Sequence, residues 1–533
     1  MPAIAAGNLL SSDPVLGALV EGLPASVVDG LSTFGQQWGA AEIRDLGRVL
    51  EANPPVLRSH DAGGARLDAI ETHPAWNALM RRSVGAGLHA SIWDAGGEEA
   101  RVRAVARAAR LMMAAQVEPG HLLPIIANNA ALAALAHAPK LSEAWLPLAR
   151  SRRFDPRSLP LAEKTGAIVG FATTEKQGGS DLRAASTRAE TAGDSLYRLV
   201  GHKWYVAAPT ADGLLVTAQT LEGLTLFLVP RFTPDGRRNP FRIVRLKPAL
   251  GFRALPAAEI EFTGTLGLPV GEVGRGLVTV QDTQAFARLD GALIAAGLLR
   301  QGLAEAAHFA RHRRAFGAPL IDQTLMTRVL ADMALDVVAL AALAFRLAEA
   351  IDRAHDEPLE AAFARLMAPV VRYLTAKIGP ALIAEAIEAM GAAGLDEAGP
   401  LARAYRAMPA LAVLDGPGNI LALDVVRVLR RSSDPLEAVL AVIEDGLGQA
   451  ARSTLNVLRA AGAVALADEG SARILVEQLG LTVAAAALRR RFPTVVADAF
   501  LESRLGKPWR ATYGMLDARF DARAFVDYVC PKL

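Results

Sequence analysis

Gly170-Phe171-Ala172-Thr173-Thr174-Glu175-Lys176-Gln177-Gly178-Gly179-Ser180-Asp181 follows a short apolar run and crowds hydroxyls, glycines and charges into one loop. At Gly178 and Gly179 no side chain stands between the backbone and an approaching ligand. Thr173, Thr174 and Ser180 carry hydroxyls able to donate to carbonyl or phosphate oxygens. On these residues alone a ligand loop and an ordinary hairpin turn both remain open.

Around that loop, from about residue 167 to 265, short runs rich in β-branched and aromatic residues recur at 197–200, 214–219, 224–229, 241–246 and 259–262. Glu222-Gly223 and Pro234-Asp235-Gly236 lie between runs, which predicts antiparallel strands in a small sandwich or barrel. On either side the period becomes helical. Residues 1 to about 160 read as mainly helical, broken at Pro54-Pro55, Pro74 and Pro119-Gly120. Leu325, Val329, Met333, Val337, Leu340, Ala344, Leu347 and Ile351 keep one apolar stripe, the mark of a helix burying a face in a bundle. Ser432-Ser433-Asp434-Pro435 reads as the entry to a further helix. The expected domains are helical at 1–164, β at 165–275, a helical bundle at 276–431 and a helical extension at 432–533. Blocks in that order predict an α+β fold. No Gly-x-Gly-x-x-Gly follows a predicted strand, so a Rossmann site is unsupported.

The chain carries 57 Lys and Arg against 55 Asp and Glu, so any basic site must be a local patch. Cys530 is the sole cysteine, which excludes an intrachain disulfide, a Cys-rich zinc site and a Cys-x-x-Cys pair; no metal is expected. The start, MPAIAAGNLLSSDP, lacks the basic-then-apolar order of a secretory leader. No charge-free run reaches the roughly 18 apolar residues of a membrane span. A cytoplasmic protein without membrane attachment is the expectation.

The loop resembles the signature of the acyl-CoA dehydrogenase superfamily, a Met-Thr-Glu-like strand end followed by Gly-Gly-Ser-Asp. Two further segments match in order. Gly201-His202-Lys203-Trp204-Tyr205-Val206-Ala207 is similar to Gly-x-Lys-x-Trp-Ile-Thr, and Arg313-Arg314-Ala315-Phe316-Gly317-Ala318-Pro319 to Arg-x-x-Phe-Gly-x-Pro. Asn53-Pro54-Pro55, His73-Pro74-Ala75-Trp76 and the Thr-Glu-Lys-Gln-Gly-Gly-Ser-Asp core resemble the AidB-type adaptive-response flavoproteins within that superfamily. The resemblance implies FAD as cofactor. It places Thr173 and Thr174 at the flavin ring and Ser180 at the pyrophosphate. Tyr205, Val206 and Ala207 would lie against the isoalloxazine face, with Gly416 and Asn419 also at the cofactor. Arg313 and Phe316 would reach the FAD of a neighbouring subunit in a homotetramer. His202 and His312 read as structural rather than catalytic.

The family's base is commonly a Glu in Glu-Gly-Thr or Glu-Gly-Ser. Here the matching segment is Val413-Leu414-Asp415-Gly416-Pro417-Gly418-Asn419, one methylene shorter at Asp415. That withdraws the carboxylate by roughly 1.5 Å, and a 1 Å misplacement can reduce rate about 100-fold. Asp415 could equally hold the turn or cap a helix. The family's Thr hydroxyl near flavin N5 is replaced by Ala207. Nitroalkane oxidase, another branch, resembles this chain in using Asp as base, which keeps carbon-acid chemistry open.

AidB-type proteins bind double-stranded DNA through a C-terminal helical domain. Arg427 matches an arginine used that way, with Arg430 and Arg431 beside it; Arg489-Arg490-Arg491, Arg504, Lys507 and Arg510 would add charge. A solvated helix surface is the plainer alternative. The expectation is therefore an FAD-binding protein associated with double-stranded DNA and the response to alkylation, with weak acyl-CoA oxidation. The alternatives are an active dehydrogenase for a short or branched acyl-CoA using Asp415, a carbon-acid oxidase, and a flavin-bound scaffold without turnover.

Overall fold

The computed structural model describes residues 4–531 apart from 95, 97, 194 and 507–518. The chain divides into two compact units, each gathered from separate stretches of sequence.

One unit comprises Val49–Ala95 and Glu118–Ala287. Its centre is a seven-stranded sheet of β3 (Val169–Ala172), β4 (Arg188–Gly193), β5 (Leu196–Val206), β6 (Gly213–Thr220), β7 (Gly223–Pro230), β8 (Phe241–Leu246) and β9 (Ala258–Pro269). The pairings β4–β5, β5–β9, β9–β7, β7–β6 and β6–β4 close on themselves, so five strands form a barrel. β3 adds to β6 in parallel, and β8 adds to β9. β6 and β7 are apolar almost throughout and buried on both faces, as strands covered on two sides must be. Leu215, Leu226 and Leu228 pack there with Trp145 and with Ala131, Leu132 and Leu135 of the helix Leu122–Leu135. Gly213 meets the Trp145 ring so closely that an added Cβ would lie 2.7 Å from it.

The strands expected from sequence are present, and β5 and β9 run longer than their β-branched cores. The N-terminal region is mainly helical, as its sequence reads, with one exception. A hairpin, β1 (Val56–His60) and β2 (Arg66–Glu71), lies within it. Its strands alternate between exposed and half-buried residues, so no buried apolar stripe marks them, and the turn rests on Asp61 and a left-handed Gly64.

The other unit comprises Met1–Arg48, Gly96–Val117 and Arg288–Leu533. Its frame is helical: Gly276–His312 from residue 288 onward, Thr324–Arg353, Pro358–Met390, Pro400–Leu411 and Gly418–Arg431. Asp434–Leu447, Arg452–Ala467, Ala472–Arg491, Thr494–Arg504 and Ala522–Val529 follow in the same unit. Gly297 crosses the helix Arg103–Ala115 so closely that a Cβ would lie 2.4 Å from the Met112 carbonyl. Pro358–Leu395 and Glu469–Arg491 are long and apolar enough to cross a bilayer by length and composition alone. Inside this unit they carry core residues such as Leu366, Val370, Leu479 and Val483.

Asp352 accepts hydrogen bonds from the backbone N–H groups of Ala104 (2.7 Å) and Val105 (3.1 Å), the first turn of Arg103–Ala115. Burial pushes its carboxyl up to about 6 against those bonds. A folded-state value above the unfolded one means that the native protein holds the proton more tightly, so this group's contribution weakens as pH rises through about 6. Asp352→Asn is therefore expected to gain on the wild type by about 1.5 kcal/mol between pH 5 and pH 7.5. Thermal melts of both proteins at the two pH values check this; a constant difference in melting temperature would contradict it.

Candidate functional site

The loop after β3 hangs on Glu175. Its carboxylate accepts from Lys203 Nζ (2.7 Å), Thr187 Oγ1 (2.6 Å), Ser186 Oγ (2.7 Å), Gln177 Nε2 (2.6 Å) and the backbone N–H groups of Ser186 (2.6 Å) and Thr187 (3.1 Å). Lys203 also donates to the Thr217 carbonyl at 2.7 Å. Burial alone would raise the Glu175 pKa, but these donors outweigh it and hold the carboxyl well below the usual carboxylate range. Both residues stand in the quoted motifs, yet sequence reading gave neither a role. The ladder of β5 shifts register between Lys203 and Val206, so both side chains point inward and have no exposed surface.

That anchor presents the predicted residues unevenly. The Thr174 carbonyl accepts from Trp204 N–H at 2.8 Å, and the Thr173 carbonyl from Thr217 Oγ1 at 3.5 Å. Among the described residues neither threonine hydroxyl has a hydrogen-bond partner, and both side chains are half-buried. Gly178 faces open space, as expected of a ligand loop. Gly179 is needed for a different reason: a Cβ there would lie 2.8 Å from Thr174 Oγ1. Ser180 is exposed. Tyr205 and Ala207 are half-buried, whereas Val206 is a core residue whose side chain has no surface to offer. Burial pushes the Tyr205 phenol up, which keeps it a neutral donor. His202 accepts from Lys176 N–H at 3.0 Å and so helps to shape the loop.

A second polar chain in this unit has the order of a nucleophilic triad. Ser83 Oγ lies 2.9 Å from His121 Nε2, and His121 Nδ1 lies 3.1 Å from Glu118. Ser83 and His121 are 0% exposed and Glu118 is 1% exposed, so no substrate reaches them. Glu118 instead accepts the backbone N–H groups of Gly120 and His121 just before the helix Leu122–Leu135.

In the helical unit Asp415 adopts φ 59° and Gly416 φ 114°, a left-handed pair that Asp tolerates better than most residues. Asp415 neither pins its turn nor caps a helix. Its carboxylate has no hydrogen bond among the described residues, and the cap of Gly418–Arg431 is Pro417, without a side-chain bond. The side chain is exposed to solvent although protein crowds the carboxyl. Burial there raises its pKa, opposed by the nearby guanidinium groups of Arg372 and Arg288. Arg372 is fully buried and donates to the carbonyls of Leu411 and Leu414 (3.1 Å), which fixes the backbone just before Asp415. Arg288 is held by Asp424 at 2.6 Å, and Asp424 also takes Arg365 at 3.1 Å. Asn419 is exposed in the first turn of the next helix. An arginine within the apolar run APVVRYL was the one sequence signal for Arg372.

Arg313 and Phe316 belong to a two-residue hairpin, β10 (Arg314–Ala315) and β11 (Ala318–Pro319), and its immediate flank. Phe316 is 97% exposed at φ 51° and packs on nothing in its own unit. His312 Nδ1 donates to the His308 carbonyl at 2.9 Å. Arg427 and Arg431 are exposed without ion pairs among the described residues, while Arg430 is bound to Glu469 at 2.7 Å. The wider basic surface expected from sequence is largely spent. Arg489 pairs with Asp498, Arg491 with Glu349, and Arg504 with Asp332 and Asp336. Lys507 and Arg510 lie outside the described residues.

Three family models match the chain in sequence: the adaptive response protein AidB N-terminal domain at residues 1–156, the acyl-CoA dehydrogenase middle domain at 170–265, and the acyl-CoA dehydrogenase C-terminal domain at 274–430. The putative acyl-CoA dehydrogenase AidB of Escherichia coli (strain K12) is 43% identical over 432 residues, 80% of this chain and 79% of that protein. The chain belongs to the AidB branch of the acyl-CoA dehydrogenase family. Acyl-CoA dehydrogenase family member 11 of Caenorhabditis elegans is 27% identical over 88% of this chain and 78% of its own length. The solved structure of Caenorhabditis elegans ACDH-11 in complex with C11-CoA superposes with a TM-score of 0.84 at 24% identity, covering 100% of this chain and 94% of that one. The Bd2924 apo-form gives 0.83 at 25% identity, covering 91% and 98%.

Members of this family are FAD-dependent flavoproteins, and the residues present fit the group. Two hydroxyls without partners among the described residues precede an open glycine on a loop fixed by a buried ion pair. Thr173, Thr174 and Ser180 would hold FAD from that loop, with Tyr205 on the adjoining strand and Ala207 just past its end.

Proposed function

We propose that the chain is an FAD-dependent carbon-acid dehydrogenase that acts, slowly, on an acyl-CoA, with Asp415 as base. The observation that carries this reading is the Asp415 carboxylate: left-handed backbone, solvent-exposed side chain, raised pKa and no hydrogen bond among the described residues. Strain and an unengaged carboxylate at one residue mark a functional position. Asp415 takes the α-proton of the thioester onto a carboxylate oxygen. Its raised pKa makes it a stronger base than an ordinary aspartate. Arg372 holds the turn from behind through two carbonyls, so the carboxylate is aimed by the backbone. FAD, when bound, supplies the hydride acceptor. The missing hydroxyl at Ala207 removes one donor near the flavin, which supports a slow reaction. The exposed Phe316 hairpin supports a homotetramer in which Arg313 and Phe316 serve the neighbour's cofactor. Anaerobic mixing of the FAD-loaded protein with an acyl-CoA panel tests the proposal: bleaching of the visible flavin band is expected with at least one thioester.

A second reading is favoured by Arg427 and Arg431, two exposed cations without carboxylate partners among the described residues, together with the likeness to AidB. In it the cytoplasmic flavoprotein sits on duplex DNA during the response to alkylation. Only a few phosphate contacts are on offer, so binding should be modest and independent of sequence. Arg427→Ala is expected to weaken duplex binding equally for unrelated sequences and to lower the salt slope by about 1. Fluorescence anisotropy over a salt series checks this; an unchanged slope removes Arg427 from the interface.

A further inference from the structure

At the end of Gly276–His312 a cavity of about 260 Å3 opens, with Ser12, Arg300, His308, Arg311 and His312 in its lining. The four helix residues share a face by their spacing. Among the described residues no carboxylate lines the cavity. Asp13 and Asp527 stand outside the lining, where they accept from Arg300 Nε (3.0 Å) and Arg311 Nη2 (3.1 Å). Arg300 Nη2 donates to the Val529 carbonyl at 2.8 Å, and Arg311 Nη2 to that of Cys530. Arg300 Nη1 also reaches Cys530 Sγ at 3.6 Å, so both guanidinium groups are held in place, Arg300 through all three nitrogens and Arg311 through Nη2. Arg311 is 10% exposed, and its Nε is buried with no hydrogen-bond partner among the described residues. A buried donor left so is disfavoured by about 1–3 kcal/mol, and native proteins keep few of them. Burial pushes the Cys530 thiol up, so it adds no negative charge.

Basic residues in a last helical turn commonly offset the helix dipole. That accounts for Arg311 and His312, while Arg300, further upstream, is accounted for by its ion pair with Asp13 and His308 packs on His312. The Arg311 Nε is left unexplained.

We infer that this cavity binds a small organic phosphate, its phosphoryl oxygens received by Arg311 and Arg300 beside the two imidazoles. Guanidinium groups suit phosphate because they present paired N–H donors in a fixed plane. A bare phosphate, the size of roughly two or three waters at about 30 Å3 each, leaves most of the volume free. Ala304 and Pro531 line the remainder and offer an apolar wall to a body of a few carbons. The site is independent of the flavin and of Asp415, so it stands or falls apart from the reaction proposed above.

The test is calorimetric titration of the full-length, FAD-loaded protein with glycerol 3-phosphate and with inorganic phosphate, ionic strength being matched with chloride. Saturable binding at one site per chain is expected, tighter for the ester. Arg311→Gln is expected to weaken it at least about tenfold, the loss of one hydrogen bond to a charged group. Arg311 also ties down Asp527 and Cys530, so His312→Gln, at an exposed position, is the second variant, with binding expected to weaken severalfold while the melting temperature holds. No saturable binding in the wild type, equal affinity for ester and phosphate, or undiminished affinity in His312→Gln would each overturn the inference.

Discussion

Asp415→Asn is expected to slow flavin bleaching by an acyl-CoA about 10²–10⁴-fold, the range lost with a positioned general base, while FAD stays bound. The substitution keeps the shape of the side chain and its tolerance for the left-handed backbone, so φ 59° is not disturbed. The carboxylate makes no hydrogen bond among the described residues, so little stability is at stake. A structural aspartate would behave oppositely, with a large fall in melting temperature and little change in bleaching. The pH dependence follows from the direction of the shift. The base must be ionised, and burial raises the Asp415 pKa, so the rate should climb with pH through a value above the ordinary aspartate range. Asp415→Glu restores the missing methylene at a backbone that suits Glu less well, and should retain a measurable rate where Asn does not. Bleaching of the Asn variant at the wild-type rate would sink the assignment. Failure of every thioester to bleach a wild-type flavin that dithionite still reduces would leave the DNA-associated role as the better account.

The sequence carried the site's parts more clearly than their connections. Gly178, the threonines and the Asp-Gly-Pro-Gly turn were readable because each depends on local chemistry: a missing side chain, a free hydroxyl, a left-handed pair. Strands β6 and β7 were readable because both faces are buried and the apolar run shows it. The hairpin β1–β2 was not, since its strands bury neither face. Period-two reasoning would set Lys203 and Val206 on opposite faces of β5, and only the register shift turns both inward. The basic tail misled for a related reason. Charges count equally in a sequence, but Arg491 and Arg504 find carboxylates far away in the chain, at Glu349, Asp332 and Asp336. Among the described residues Arg427, Arg431 and Arg490 stay exposed without carboxylate partners.

Lys203→Met is expected to destabilise the β unit by about 3–5 kcal/mol, the usual penalty for stranding one partner of a buried ion pair. Glu175 would keep its bonds to Ser186, Thr187 and Gln177, but its negative charge would face no cation in a site with almost no exposed surface. Glu175→Gln should be milder. Burial already pulls the Lys203 ammonium below its ordinary value, so without its counter-ion it can shed a proton, and the Thr217 carbonyl remains as partner. The double variant should therefore recover part of what Lys203→Met loses, a coupling of roughly 0.5–3 kcal/mol. The pH dependence again has a definite sign. Glu175 is held below its unfolded value, so its contribution is present above about pH 4.3 and is lost only as acid protonates the folded carboxyl. The gap between wild type and Lys203→Met should thus be flat from neutral to mildly acidic pH and close only in stronger acid. The same pair fixes the loop that carries Thr173, Thr174 and Ser180, so flavin retention on gel filtration should fall with stability in Lys203→Met and return in part in the double variant. Full FAD retention in a destabilised Lys203→Met would separate the ion pair from the cofactor loop and leave it a fold element alone.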